Sequence, residues 1–211
     1  MCGICAVYAY NPVATPVDRD ELSKIRDYMS RRGPDGQGEW FSSDQRVGLG
    51  HRRLSIIDLS SAGSQPMSNE DQTIWLTFNG EIYNYRDLRE QLIERGHTFR
   101  SQSDSEVLVH LYEEKGERMV EDLRGMFAFV IWDSRQQRML LARDPYGIKP
   151  LYYADDGWTV RVASQVRALL AGRVARDQEP AGLASFYLFG SVLEPFTLYR
   201  EIRSVPAGST V

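Results

Sequence analysis

The chain of 211 residues is poor in the residues that staple or metallate small folds. It has two cysteines, Cys2 and Cys5, close together near one end, which argues against a disulfide framework. Its three histidines, His51, His97 and His110, have no close partners in sequence, so no metal ligands are expected. No apolar run approaches the ~20 residues that cross a bilayer, and no membrane association is expected. Positive charge is not in excess, with 25 basic against 29 acidic residues and a net charge of −4. A chain gripping nucleic acid through its phosphates leans the other way, so no nucleic-acid partner is expected. Phosphate loops of the GxxxxGK[ST] and GxGxxG types are missing, as is a G-x-S-x-G elbow. Met1 to Ala6 has neither a basic leader nor a cleavage-site pattern, and no apolar leader precedes Cys2. A reducing, cytoplasmic compartment is the expectation. With 42% hydrophobic and 26% charged residues, what remains is ordinary globular composition for one domain or slightly more.

Strand-like and helix-like stretches alternate without repeats. Ile4 to Tyr10 reads as a buried strand. Asp18 with Glu21 reads as a capping box opening a helix through Leu22, Ile25 and Met29, stopped by Gly33-Pro34-Asp35-Gly36. Ile74 to Phe78 is predicted as a strand ending at Asn79-Gly80. Asn84 opens a helix, and Ser103-Asp104-Ser105-Glu106 caps another that Gly116 ends. Met126 to Trp132 is apolar at every position, so that strand should be covered on both faces. Met139 to Ala142, Leu151 to Ala154 and Trp158 to Ala163 complete a strand-rich second half, which suggests sheets with helical layers outside. Pro195 to Val211 carries several apolar residues without a polar tail, as a piece of a longer chain would.

Cys2 is the most unusual residue. Removal of Met1 would put a thiol and a free α-amine on one residue, and an amine titrating near pH ~8 can serve that thiol as base. By position alone, an ordinary second residue on an entering strand is the simpler reading. Cys5 reads as a small buried apolar residue. Asn79-Gly80 by itself favours a tight hairpin turn. Its functional reading is an oxyanion hole made by the Asn79 amide and the Gly80 N–H. Arg53 and Asp104 could grip the carboxylate and ammonium of an amino acid, although Asp104 alone is more simply a helix-start acid.

Taken in order, Met1-Cys2-Gly3-Ile4, Arg32-Gly33-Pro34-Asp35, Arg53 to Asp58, Gln65-Pro66-Met67, Asn79-Gly80-Glu81-Ile82-Tyr83-Asn84, Ser103 to Glu106, Gly125 to Phe129 and Gly147 to Tyr153 form a pattern. It resembles the class II glutamine amidotransferase domain of glutamine-hydrolysing asparagine synthetases and their relatives, over nearly the whole chain. The resemblance implies an α+β, N-terminal-nucleophile hydrolase fold: a four-layer αββα sandwich of two mainly antiparallel sheets between helices. It implies that Cys2 is the nucleophile with its own amine as base, that Asn79 and Gly80 form the oxyanion hole, and that Arg53 and Asp104 hold the charged ends of L-glutamine. Glu81 and the backbone around Ile56 would line the same pocket.

The resemblance further implies residues 1–191 as the glutaminase domain and 192–211 as a segment leading to a C-terminal ATP-pyrophosphatase-type synthetase domain. No cofactor is expected in this stretch. ATP and Mg would serve only that further domain, and homo-oligomerisation is left open. Arg31, Arg52, Gln165 and the Asp144-Pro145-Tyr146 triplet depart from the family's usual residues, which leaves the ammonia acceptor open. Two other readings stand: the amidotransferase half of an aminosugar- or purine-forming relative, and a catalytically silent binding module.

Overall fold

The computed structural model describes residues 1–211. Strand β1 (Gly3–Tyr8) shows why the chain layers as it does. Alternate side chains leave a strand on opposite faces. Ile4 and Ala6 enter one apolar cluster, while Cys5 and Val7 enter another. Helix α1 (Arg19–Tyr28) covers the second face with Leu22 and Ile25, joined by Met29 just beyond its end. Strands β2 (Gly36–Phe41) and β3 (Val47–Arg53) follow. The short β4 (Met67–Ser68) then precedes the long β5 (Ile74–Ile82). Helices α2 (Tyr85–Glu94) and α3 (Asp104–Lys115) lead to β6 (Gly125–Asp133) and β7 (Arg138–Arg143). The chain closes with β8 (Tyr152–Asp155), β9 (Val160–Ala163), α4 (Val166–Leu169), α5 (Pro180–Phe189) and β10 (Ile202–Ser204).

Two sheets result, one ordered β10-β8-β9-β1-β3-β2 and the other β4-β5-β6-β7, with antiparallel pairing throughout. Strand β6 joins the layers. Phe127, Phe129 and Ile131 pack under α2 and α3, while Ala128, Val130 and Trp132 face Ile4, Leu49 and Val162 of the other sheet. Its unbroken apolar run is thus explained by cover on both sides, as predicted. The architecture is the four-layer αββα sandwich. No helix is long and apolar enough to cross a membrane.

The sequence expectations differ from the structure at identifiable points. Strand β5 does not end at Asn79-Gly80; it runs through them to Ile82, with Asn79 opposite Ala128 and Gly80 opposite Phe127 on β6. A Cβ on Gly80 would lie 2.3 Å from the Met126 carbonyl oxygen, so close strand approach, not a turn, demands the glycine here. Neither capping box closes. The Asp18 and Ser103 side chains accept from Asp20 N–H and Ser105 N–H as N-caps. Glu21 instead accepts from Arg161 and the Arg173 N–H, and Glu106 from the Arg100 and Ser101 N–H groups. Helix α1 stops at Tyr28, before the glycines, whereas α3 ends at Gly116 as predicted and a 3₁₀ stretch (Gly116–Asp122) follows it. Strands β2 and β3 and helix α5 carried no clear periodic signal. Within 192–211, β10 pairs with β8 and Val205 enters the inter-sheet core.

Candidate active site

At one end of the sandwich the two sheets part around a cavity of about 320 Å³. Cys2 reaches it from the end of β1, and Asn79 and Gly80 reach it from β5 on the opposite sheet. The alternation of each strand sets this meeting. Cys2 lies two residues before Ile4 on the inward face of β1, and Asn79 lies two residues beyond Thr77 on β5. Thr77 Oγ1 donates to the Gly50 carbonyl at 3.2 Å, and His51 Nε2 lies 3.1 Å from the Phe78 carbonyl, so β3 and β5 are tied across the layers beside the cavity. Burial pushes His51 down to about 4, so its ring is neutral at physiological pH and donates to that carbonyl.

The thiol of Cys2 is held by the backbone of a single residue. Leu54 N–H donates to Sγ at 3.3 Å, and the thiol faces the Leu54 carbonyl at 3.7 Å. Burial raises the thiol above its ordinary value, although the Leu54 N–H, the N-terminal charge and Arg53 oppose the rise. Arg32 Nε donates to the Cys2 carbonyl at 3.1 Å and fixes the residue's backbone. Cys5, one face away, is fully buried and its thiol is pushed up to about 12. It is a small buried residue of the core, as predicted.

Asn79 is buried, and its side-chain Nδ2 has no hydrogen-bond partner. An orphaned buried amide costs roughly 1–3 kcal/mol, so a group left this way at a cavity calls for an acceptor from outside. The backbone of β5 adds to this. Phe78 N–H donates to Gln65 Oε1 at 2.6 Å and Ile82 N–H to Asp104 Oδ2 at 2.9 Å, both on the strand edge that β4 does not cover. By the two-residue repeat, Gly80 N–H lies between them on that same edge.

Asp104 is buried at the start of α3 and is pushed up to about 6, chiefly by burial, against the pull of the Ile82 N–H. Arg53 donates from Nη1 to the Ser60 carbonyl at 2.8 Å and from Nη2 to the Asp58 carbonyl. Its guanidinium is thus set by the loop between β3 and β4 at the cavity wall. Glu81 and Ile56 are both exposed at the rim. Every residue singled out in the sequence therefore lines one cavity. Sequence reasoning missed the lining by His51, Leu54, Gln65 and Lys149. Leu54, Gln65 and Lys149 lie within quoted motifs, whereas His51 gave no signal of its own.

A family model described as a glutamine amidotransferase domain matches residues 1–211. "Asparagine synthetase [glutamine-hydrolyzing] 1" of Bacillus subtilis is 43% identical over 210 residues, covering 99% of this chain and 33% of that protein. "Amidase chry2" of Gibberella zeae is 41% identical over 179 residues, covering 81% of this chain and 26% of that protein. The chain thus spans about a third or less of the length of these curated relatives. Among solved structures, the glutamine phosphoribosylpyrophosphate amidotransferase of B. subtilis, complexed with ADP and GMP, superposes with a TM-score of 0.66 at 21% identity. That match covers 85% of this chain and 46% of the other, and shows likeness of fold.

Proposed function

The chain belongs to the class II glutamine amidotransferase domain family, and on that premise we propose that it hydrolyses L-glutamine to L-glutamate and ammonia through a thioester on Cys2. Removal of Met1 frees the Cys2 α-amine, which takes the thiol proton as Sγ attacks the side-chain amide carbon. The negative oxygen of the tetrahedral intermediate accepts from Asn79 Nδ2 and Gly80 N–H. One such donor is typically worth roughly 3–4 kcal/mol in the transition state. The amine then returns the proton to the departing nitrogen, ammonia leaves, and water cleaves the thioester to release glutamate and restore the thiol. Arg53 receives the α-carboxylate and Asp104 the α-ammonium, while Glu81 and the Ile56 backbone wall the pocket.

The observation that carries this reading is the unpartnered Asn79 amide lining the same cavity as the Cys2 thiol. In the longer protein, residues 1–191 would form the glutaminase domain and 192–211 would lead on to an amide-forming, asparagine-synthetase-like domain. Ammonia would pass to that domain, which would use ATP and Mg, in the cytoplasm. The test is glutamate release from glutamine, without nucleotide, by protein shown by mass spectrometry to lack Met1. Turnover abolished by Cys2→Ala supports the proposal; no glutamate from the mature chain, or turnover that survives Cys2→Ala, refutes it.

A further inference from the structure

His97, His110 and Glu113 converge on one point outside the cavity, correcting the expectation that the histidines lack close partners. Gly96, at φ +99°, turns the chain back after α2, and His97 N–H donates to the Leu92 carbonyl at 3.0 Å, which seats His97 against α3. His110 and Glu113 stand three residues apart on α3 and share a face. Glu113 Oε2 lies 3.0 Å from His110 Nδ1 and 3.5 Å from His97 Nδ1, and one ligand atom from each residue falls within 4.8 Å of the others.

The surroundings are organised around these three groups. His97 Nε2 lies 2.9 Å from Glu114 Oε1, and His110 Nε2 faces Glu106 Oε1 at 3.9 Å. Glu113 Oε1 accepts from Asn69 Nδ2 at 2.8 Å. Each imidazole therefore turns one nitrogen toward a common centre and the other toward a carboxylate. Histidines that bind metal have this second partner, which fixes the tautomer and raises ligand basicity. His110 is only 2% exposed, yet its Nε2 has no hydrogen-bond partner. A proton competes with a metal ion here, since in spite of its burial the Glu106 and Glu113 carboxylates raise His110. Filling all four ring nitrogens would require two imidazolium rings with centroids 4.9 Å apart, one of them buried. One divalent cation on the two Nδ1 atoms leaves both rings neutral, with each Nε2–H directed at its own carboxylate.

We infer that His97 Nδ1, His110 Nδ1 and Glu113 Oε2 bind one zinc ion, with Glu114, Glu106 and Asn69 orienting the ligands. Two imidazoles and a carboxylate suit zinc, and the partly exposed side of Glu113 leaves room for a water as fourth ligand. The ion would pin the α2–α3 connection to α3, and through Asn69 to the turn before β5. It would be structural, since none of its ligands lines the cavity.

The experiment uses the whole chain carrying Cys2→Ser, so that the accessible thiol does not compete, after stripping with a chelator. Titration calorimetry with zinc chloride at pH 7.5 should give one ion per chain at micromolar or tighter affinity, with a rise in Tm. Cobalt substituted at the site should show visible bands without thiolate charge transfer. Glu114→Gln should weaken binding about tenfold to a hundredfold, and His97→Gln, near the surface, should abolish it while circular dichroism reports an intact fold. The inference is overturned if the folded chain binds no stoichiometric zinc, if His97→Gln binds as before, or if cobalt shows thiolate ligation.

Discussion

Asp104→Asn should make the protein more stable and a worse enzyme at the same time. The Asp104 carboxyl rises from 3.8 to about 6 on folding, mainly through burial. Between those values the folded chain keeps a proton that the unfolded chain has lost. Stability therefore falls as pH rises through that window and stays reduced above it. At about 1.4 kcal/mol per pKa unit, keeping Asp104 ionised at pH 7.5 costs up to about 3 kcal/mol. Asparagine removes the charge yet keeps an oxygen for the Ile82 N–H, whose bond to Asp104 is 2.9 Å long. A gain of about 1–3 kcal/mol in urea unfolding at pH 7.5 is expected, or several degrees in Tm. At pH 4 the gain should nearly vanish, because Asp104 is then protonated.

On the proposed function the ammonium of glutamine would supply the missing counter-charge, so the same substitution should harm binding. Loss of a charge-assisted contact of roughly 1.5–3 kcal/mol corresponds to a KM about 10- to 100-fold higher. In the unsubstituted protein kcat/KM should fall as pH drops through about 6, and Asp104→Asn should flatten that limb. Glutamate release across pH 4.5–8 together with urea melts at pH 4 and 7.5 would measure both effects. A variant that is less stable at pH 7.5, with KM unchanged, would refute the reasoning and make Asp104 a helix-start acid alone.

Cys2→Ala should abolish glutaminase activity while Cys5→Ala, behind β1, keeps most of it; equal losses in the two variants would remove Cys2 from its role. Asn79→Ala should lower kcat about 10²- to 10³-fold with little change in KM, and a pure KM effect by steady-state kinetics would place Asn79 in binding only. Retention of Met1 converts the amine into an amide that cannot accept a proton, so that form should melt within a few degrees of the mature one yet release almost no glutamate. Comparable turnover by both forms, separated by mass spectrometry, would rule out the α-amine as base.

The sandwich was legible where a strand is apolar throughout or a helix keeps one stripe. Strand β6 announced its two covered faces in Met126 to Trp132, and Leu22, Ile25 and Met29 announced α1. Strands β2 and β3 were illegible for a physical reason. Gly38, Gly48 and Gly50 interrupt their alternation because neighbouring groups come too near for a side chain: a Cβ on Gly50 would sit 2.6 Å from Cys5 Sγ. Helix α5 hid for the opposite reason. Tyr187, Leu188 and Phe189 are apolar but exposed, so no buried stripe marks it. Glu21 and Glu106 satisfied a local capping pattern, yet other N–H groups outcompeted the caps: Arg173, far along the chain, for Glu21, and the preceding Arg100 and Ser101 for Glu106.

The site itself was legible only as unconnected parts, because its two halves lie on different sheets. Asn79-Gly80 shows the difficulty most clearly. Between apolar runs the pair specifies a hairpin by local rules, yet here it is the middle of a strand, and the glycine answers to the Met126 carbonyl across the ladder. Nor does an orphaned polar atom identify a site by itself, since Trp132 Nε1 and Ser204 Oγ are also buried without partners. What sets Asn79 apart is convergence with a thiol held by Leu54, a buried carboxyl raised to about 6 and an arginine fixed by loop carbonyls on one cavity. The orphaned amide and the ionised acid each lower stability, by about 1–3 kcal/mol and up to about 3 kcal/mol respectively. A fold resting only on the strand ends beside the cavity would relax to satisfy them. The inter-sheet core of Ile4, Leu49, Val130 and Trp132 holds β1 and β6, and through β6 the strand β5, in fixed register, so the unsatisfied groups stay in place for the proposed ligand, which would carry both an ammonium and an amide carbonyl.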